Sequence, residues 1–150
     1  MPSKALTLQQ ILRPVDRDLS RVTDRLLACL HHPVARMAID LVTAGGGRLR
    51  PALELLSGRS GDHEKRHQAV IDLAAAMELI HTATLIHDDI IDGSLLRRSQ
   101  PTFHQRFGTE RAVLMGDYLY ATAFVLLAQL REPYVTTYMA EVCQQMSRGE

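Results

Sequence analysis

The spacing of apolar residues is the sequence feature that most restricts the fold of this chain. Apolar residues recur every three or four positions in almost every segment, which is the period of an amphipathic α-helix. Alternating β-branched runs and Asn-Gly turns, which would indicate strands, are nearly absent. We therefore predict an all-α protein. One stripe on the first helix consists of Val15, Leu19, Val22, Leu26 and Leu30.

Proline and glycine residues divide this periodic sequence into separate helices. Proline suits the first turn of a helix, whereas a run of glycines ends one because of its backbone entropy. Short connections between helices predict an antiparallel helical array that forms a single domain over residues 1–150. A polar loop is expected at 93–100. The predicted helices cover 6–30 with an interruption at Pro14 left open, 33–43, 51–57, 63–92, 110–130 and 133 to the C-terminus.

The composition indicates a globular chain without a dominant charge. Of its 150 residues, 46% are hydrophobic, and 17 Lys and Arg residues balance 17 Asp and Glu residues. No global field therefore attracts nucleic acid or an anionic membrane. Because Asp117 interrupts the apolar stretch 112–130, we predict no transmembrane segment. Cys29 and Cys143 lie far apart and the first residues show no leader pattern, so we expect reduced thiols and a cytoplasmic location.

The acidic run His87-Asp88-Asp89-Ile90-Ile91-Asp92 carries the clearest chemical signal. On a helix Asp88 and Asp92 share a face, and Asp89 lies about 100° to one side. Three carboxylates this close repel each other, and the negative end of the helix dipole adds to that repulsion. Hard oxygen ligands at this spacing suit Mg²⁺, so all three aspartates are predicted metal ligands. The alternative is a solvated acidic helix end, which is common for two aspartates.

An adjacent arginine pair, Arg97 and Arg98, follows Asp92 on the predicted polar loop. Guanidinium groups make forked hydrogen bonds to phosphate oxygens, so a pair beside a metal site can hold a diphosphate. Taken alone, such a pair is more often a solvated surface feature. The acidic run beside it favours the anion-binding interpretation.

The glycine-rich turn 45–51 offers a second place for an anion. Backbone N–H groups at a helix N-terminus cradle anions, and Arg48 or Arg50 adds positive charge. A tight interhelical turn explains the same glycines equally well. His81 lies two turns before Asp88 on the same helix face, and by itself it is more simply a core histidine.

The order of these pieces closely resembles the all-trans isoprenyl diphosphate synthase family. The resemblance runs from about Gly45 to the last residue and implies half of that family's helical fold. The matching motifs are Gly-Gly-x-Arg-Leu-Arg-Pro at 45–51, His-Thr-Ala-Thr-Leu-Ile-His-Asp-Asp-Ile-Ile-Asp at 81–92, Arg-Arg-x-x-Pro-Thr at 97–102 and Leu-Met-Gly-Asp-Tyr-Leu at 114–119.

This resemblance implies a reaction and a role for each motif. An allylic diphosphate ionises with the help of Mg²⁺, the double bond of isopentenyl diphosphate attacks the cation, and a proton is lost. The acidic run at 88–92 would bind Mg²⁺ and the allylic diphosphate, and Arg97 would hold the same diphosphate. The residues implied for isopentenyl diphosphate are Arg98, Arg50 and His81, with Arg48 in the same turn.

The residues just before the acidic run bear on product length. In the resembling family they form the floor of the channel into which the product grows. Ala83 and Thr84 lie about one helical turn before Asp88, and neither is aromatic. The resemblance therefore implies a medium- or long-chain product. The alternative is that these two residues only pack against a neighbouring helix, and that a deeper residue or a partner chain sets the length.

Three departures from the family pattern limit what this chain can do alone. Gly47 stands where the family turn carries a lysine that binds isopentenyl diphosphate, and Ser99 replaces the usual glycine after the arginine pair. Family members are roughly twice as long and carry a second aspartate-rich motif, which this sequence lacks.

Several interpretations follow from that incompleteness. The chain is one subunit of a split enzyme whose partner chain supplies the second motif, or a fragment of a longer synthase, or a non-catalytic regulatory subunit. A helical interaction module without chemistry is the competing class. A pure packing module has no need of three aspartates, two arginines and a histidine around one apolar channel, which favours the enzyme.

Overall fold

The fold is described from a computed structural model of the chain, for residues 7–33, 35–43, 49–59 and 63–149. These residues are almost entirely helical, which confirms the predicted all-α class. The predicted glycine turn at 45–47 and Arg48 lie outside the described residues. The elements are α1 (Leu8–Leu12), α2 (Asp16–Cys29), α3 (Ile39–Thr43), α4 (Leu49–Ser57), α5 (His63–Ile91), β1 (Leu96–Arg97), β2 (Gln100–Pro101), α6 (Phe103–Phe107), α7 (Thr109–Gln129) and α8 (Pro133–Gly149).

Helix α5 is the centre of the array, and it contacts α2, α4 and α7. Its buried residues lie around most of its circumference, as expected for a helix enclosed by others. Small side chains such as Ala75, Ala76 and Ala83 are fully buried, as is Ala112 of α7. Small residues at the contact let two helix axes approach closely, and the α5–α7 contact is the most extensive in the fold.

The predicted apolar stripe packs α2 against this centre. Its residues, from Val15 to Leu30, are all buried, and none exposes more than 7% of its surface. Ion pairs flank the apolar contact: Arg25 Nε donates to Asp72 Oδ1 over 2.6 Å, and His67 Nε2 lies 2.8 Å from Asp18 Oδ1. Helix α2 is therefore held to α5 by apolar burial and by polar contacts.

Proline sets the helix boundaries largely as predicted. The first helix is interrupted at Pro14, where residues Arg13–Val15 form a 3₁₀ turn because proline has no N–H to donate. Pro51 lies in the first turn of α4, and Pro133 begins α8. The predicted second helix is shorter than expected, because Ala35–Ala38 forms a 3₁₀ turn before α3.

The connection after α5 differs from the predicted loop. Strands β1 and β2 pair antiparallel, and the two residues between them have positive φ, 51° for Arg98 and 64° for Ser99. Positive φ at both central residues is the mark of a type I′ turn, whose usual sequence signal is Asn-Gly. That signal is missing here, so the hairpin was not predicted. The short helix α6 was missed as well, although Phe103 within it is buried.

Helices α5 and α7 are long and apolar enough to cross a membrane by length and composition alone. The prediction of no such segment, which rests on Asp117 in α7, stays a prediction. Core helices of globular proteins meet the same criterion, and 56% of the apolar window in α5 is buried inside the chain. These helices therefore carry no membrane assignment.

Candidate diphosphate site

The C-terminal end of α5 fixes the position of the acidic run. Ser94 N donates to Asp89 O over 2.9 Å, and Gly93 N donates to Ile90 O over 3.2 Å. This is the Schellman pattern, in which the residue after the helix adopts positive φ, and Gly93 has φ of 61°. The helix therefore ends one residue earlier than predicted. Asp92 lies in the turn, but its N–H still bonds Asp88 O over 2.8 Å.

The three aspartates occupy different environments. Asp88 is half-buried and Asp92 is exposed, whereas Asp89 exposes only 4% of its surface. The Asp89 carboxylate is bound by Arg97, whose Nε donates to both carboxylate oxygens over 3.0 and 3.1 Å. The Nη2 of the same guanidinium lies 2.8 Å from Asp89 Oδ1. One predicted metal ligand and one predicted diphosphate ligand are thus bound to each other.

The β-hairpin positions the arginine pair beside α5. Thr102 fixes its base: the hydroxyl donates to Ser94 O over 2.8 Å, and the backbone N–H bonds Leu95 O over 3.1 Å. Thr102 and the neighbouring Phe103 are buried, so the hairpin is anchored to the core. Arg97 therefore meets Asp89 as part of a packed structure.

A cavity of about 570 Å³ lies beside this pair. Its apolar wall includes Leu85, Ile86 and Pro101. The structure brings together on its lining five predicted site residues, namely Arg50, His81, Asp89, Arg97 and Arg98. Charged residues that the sequence did not single out also line it, namely Asp40, Glu78 and Arg106.

The electrostatic field in the cavity is positive around His81. The pKa of His81 is lowered from its ordinary value to about 4, mainly by burial and then by the nearby charges of Arg50, Arg97 and Arg98, in that order. The imidazole is therefore neutral at pH 7, because a further positive charge beside three guanidinium groups is unfavourable. Such a cluster of cations is suited to an anion.

Glu54 of α4 is a partly buried acid close to Glu78 and Arg50 of the cavity lining. Its pKa is raised to about 8, mainly by burial and then by the charge of Glu78, whereas Arg50 lowers it. Glu54 Oε2 has no hydrogen-bond partner among the described residues. At neutral pH this carboxyl is therefore mainly protonated, which leaves the charge of Arg50 available to other groups.

Other predicted residues lie away from the cavity. Asp88 and Asp92 are not on its lining, and neither are Ala83 and Thr84. Ala83 is fully buried in the core, and the Thr84 hydroxyl donates to Ile80 O over 2.8 Å. The candidate site thus has two compartments, an arginine cavity on one side of α5 and the acidic helix end.

Tyr120 of α7 is a residue near the acidic end that sequence reasoning missed. Burial raises the pKa of Tyr120, a hydrogen bond with the Thr84 side chain lowers it, and the charge of Asp88 raises it. The aromatic side chain that the sequence lacks at 83 and 84 is therefore supplied by the facing helix. The Leu-Met-Gly-Asp-Tyr-Leu motif directly before Tyr120 was the available signal.

His87 connects the acidic end of α5 to α7. Its Nε2 lies 3.2 Å from Val113 O and 3.8 Å from Asp117 Oδ1. A Cβ atom placed on Gly116 would lie only 2.1 Å from this nitrogen. Glycine at 116 thus makes room for the histidine side chain, which explains the glycine in that motif.

The acidic end suits magnesium in part. Among the described residues, no group of three or more His, Cys, Asp or Glu side chains is arranged to hold a metal ion. Magnesium, however, is commonly held by one or two carboxylates together with substrate phosphates. Asp88 and Asp92 offer that smaller donor set, while Asp89 is bound to Arg97. The donor chemistry therefore fits Mg²⁺ when a diphosphate completes its coordination.

The fold and site define an all-helical protein in which carboxylates and arginines meet at the end of a central helix. The sequence model of the polyprenyl synthetase family matches residues 31–150. The chain therefore belongs to this family, whose members are generally Mg²⁺-dependent prenyltransferases.

Individual relatives agree with this membership. The chain is 34% identical to an octaprenyl diphosphate synthase of Haemophilus influenzae, over 97% of the chain and 44% of the relative. It is 35% identical to heptaprenyl diphosphate synthase component 2 of Geobacillus stearothermophilus, over 89% of the chain and 42% of the relative.

A solved structure shares the same fold. It is a polyprenyl synthase of Caulobacter crescentus in complex with calcium and isoprenyl diphosphate, with a TM-score of 0.84 and 34% identity. The match covers 99% of this chain and 45% of that protein. The chain thus spans less than half the length of each of these three proteins.

Proposed function

We propose that this chain is the half of a polyprenyl diphosphate synthase that carries the first aspartate-rich motif. The whole enzyme condenses an allylic diphosphate with isopentenyl diphosphate. The observation that supports this most is the Asp89–Arg97 pair, because it joins the acidic helix end to a cavity lined by Arg50, His81 and Arg98. An acidic end alone or an arginine pair alone would be an ordinary surface feature.

Each compartment takes one substrate in this proposal. Asp88 and Asp92 hold Mg²⁺ with the allylic diphosphate, and Asp89 and Arg97 contribute once their mutual pair opens. Mg²⁺ held by these carboxylates would supply positive charge to neutralise the leaving diphosphate. Arg50, Arg98 and His81 hold isopentenyl diphosphate in the cavity, with Arg48 as a further proposed ligand. The main contribution of the chain is thus positioning and charge neutralisation.

A partner chain with a second aspartate-rich motif completes the enzyme in this proposal. The sequence has no second such motif, and the chain spans less than half of its relatives. One relative is named as a component of a heptaprenyl diphosphate synthase. A fragment of a single-chain synthase would show the same features, and the glycine at position 47 favours a non-catalytic subunit. Activity of the purified chain alone would exclude both the split enzyme and the non-catalytic subunit.

We propose a medium- or long-chain product and a cytoplasmic location. The relatives named above make octaprenyl and heptaprenyl diphosphate, and Ala83 has a small side chain. Tyr120 lies beside Thr84, so replacing Tyr120 with Ala in the active complex should lengthen the products, and replacing Ala83 with Phe should shorten them. Cys29 and Cys143 are free, as is usual for cytoplasmic proteins.

The central test is Mg²⁺-dependent binding of an allylic diphosphate, measured by calorimetric titration. We expect Asp88→Ala and Asp92→Ala to weaken that binding by about tenfold or more, since each removes a charged ligand. The matched control is Asp24→Ala, which removes an exposed carboxylate of α2. Unchanged Mg²⁺-dependent binding in both variants would show that the assignment of the metal ligands is wrong.

A further inference from the structure

Arg106 of α6 lies on the cavity lining but belongs to none of the motifs discussed above. Its guanidinium carbon lies 4.8 Å from the centre of the Phe107 ring. Phe107 in turn packs against the buried Phe103, with ring centres 4.7 Å apart. The cation is therefore positioned by aromatic residues on a helix that is anchored in the core.

The charged partner of Arg106 is weakly held. Its Nη2 lies 3.5 Å from Asp40 Oδ2, and the Asp40 side chain is 74% exposed. Exposed ion pairs of this kind contribute little to stability. Arg97 differs, because the buried carboxylate of Asp89 holds it at three short distances. A diphosphate can therefore replace the partner of Arg106 at a much lower energetic cost.

The sequence also lacks one cation that the family resemblance implies. The family turn normally carries a lysine for isopentenyl diphosphate, and this chain has Gly47 in its place. Arg106 lies on the cavity lining and belongs to α6, whereas Arg50 of the same lining belongs to α4. Arg106 thus adds a positive charge to the lining that no motif supplies.

We propose that Arg106 binds the diphosphate group of isopentenyl diphosphate together with Arg50 and Arg98, and that Asp40 is the carboxylate that this diphosphate displaces. The assignment rests on the proposed function of the cavity. It adds a specific binding residue and makes α6 part of the substrate site. A forked guanidinium is well suited to this role, because it donates two parallel hydrogen bonds to phosphate oxygens.

The experiment measures binding of isopentenyl diphosphate, and separately of inorganic diphosphate, to the purified chain without Mg²⁺. We expect Arg106→Ala to weaken binding by about tenfold, the loss of one charge-assisted contact. Arg106→Lys should recover part of that loss. The matched control is Arg111→Ala, an exposed arginine of α7 outside the cavity lining. If isopentenyl diphosphate binds more tightly than inorganic diphosphate, the apolar wall contributes as well.

The Asp40→Asn variant shows whether Arg106 binds the ligand or whether the Arg106–Asp40 pair has only a structural role. If Asp40 competes with the diphosphate, this substitution should tighten binding about twofold to fivefold and should have no effect in an Arg106→Ala background. Equal binding by Arg106→Ala and Arg111→Ala would overturn the proposal, as would no binding of either anion by the unmodified chain. Loss of thermal stability without loss of binding would make the pair a tether between α3 and α6.

The result of the Arg106 titration does not depend on whether Asp88 and Asp92 bind Mg²⁺. The titration contains no Mg²⁺, so failure of the Asp88→Ala and Asp92→Ala test would leave it unaffected. Conversely, normal Mg²⁺-dependent binding of the allylic diphosphate with no effect of Arg106→Ala would overturn only the role of Arg106.

Discussion

The arginine cavity and the acidic end of α5 are built in contrasting ways. The cavity is enclosed by side chains of several elements, and its cations come from α4, the hairpin and α6. At the acidic end Asp88 is half-buried, Asp92 is exposed, and the third carboxylate is bound to Arg97. The cavity thus has its charged groups in place within this chain, whereas the acidic end depends on ligands that come from elsewhere.

The Asp89–Arg97 pair joins the two compartments, so removing it should have the largest effect. Asp89→Asn leaves Arg97 without its buried partner, and we expect a loss of about 2 to 3 kcal/mol in unfolding free energy. Binding should weaken in both compartments. Urea denaturation measures the loss, and Asp92→Asn is the exposed control, expected to change stability by less than about 0.5 kcal/mol. Equal stabilities of the two variants would mean that the pair does not join the compartments.

A substitution at Gly116 should affect the acidic end alone. Gly116→Ala forces the His87 ring away and breaks its contact with Val113 O, and we expect a loss of about 1 kcal/mol. Mg²⁺-dependent binding should weaken while Mg²⁺-free binding of inorganic diphosphate stays constant.

The same substitution should cost little in a His87→Ala background, because the clashing ring is then absent. Gly149→Ala serves as the control, since a Cβ there meets nothing within 4 Å. If Gly116→Ala also weakens Mg²⁺-free binding, the substitution in α7 affects both compartments and does not separate them.

The pH dependence of diphosphate binding should report on His81, and therefore on the arginine cavity alone. In the free chain its pKa is about 4 because of burial and three arginines. A bound diphosphate offsets those arginines and raises the pKa towards the ordinary value, so the complex holds more protons than the free chain. Affinity should therefore increase as pH falls from about 6.5 to 5.

Calorimetry in buffers of different ionisation enthalpy measures this proton uptake directly. His81→Gln should abolish the uptake and leave Mg²⁺-dependent binding of the allylic diphosphate unaffected. Uptake that persists in this variant would assign the proton to another group.

The smallest effect is expected at the hairpin turn. Ser99 has φ of 64°, a conformation that costs a non-glycine residue about 1 kcal/mol. Ser99→Gly should therefore stabilise the chain by up to about 1 kcal/mol, reduced by the entropy that glycine adds to the unfolded state. Thermal denaturation measures the gain, and Ser99→Ala should give none. If Ser99→Ala also raises the stability, backbone strain at position 99 is not the explanation.

The sequence predicted the helices well because local signals determine them. The stripe from Val15 to Leu30, the interruption at Pro14 and the start at Pro133 depend on periodicity and on proline stereochemistry. The hairpin was missed because Arg98 and Ser99 adopt positive φ without the residues that normally favour it. Its geometry is imposed by packing around Thr102, which lies outside the turn.

The sequence motifs identified several of the residues that line the cavity, but not all of its charged residues. Arg50, His81 and Arg98 were chosen from patterns in the sequence, and the structure gathers them on one lining. Arg106 belongs to no motif, and only tertiary contacts bring it to the cavity lining. The pairing of Asp89 with Arg97 was also not foreseen, because each was assigned separately to an external ligand.

That pairing has a thermodynamic consequence for ligand binding. While Asp89 and Arg97 neutralise each other, a cation that needs the carboxylate and an anion that needs the guanidinium must each break the same contact. Whichever ligand arrives first bears that cost, and the second finds its partner already released. The proposed metal and diphosphate therefore bind with positive linkage, and each raises the affinity of the chain for the other by the same factor.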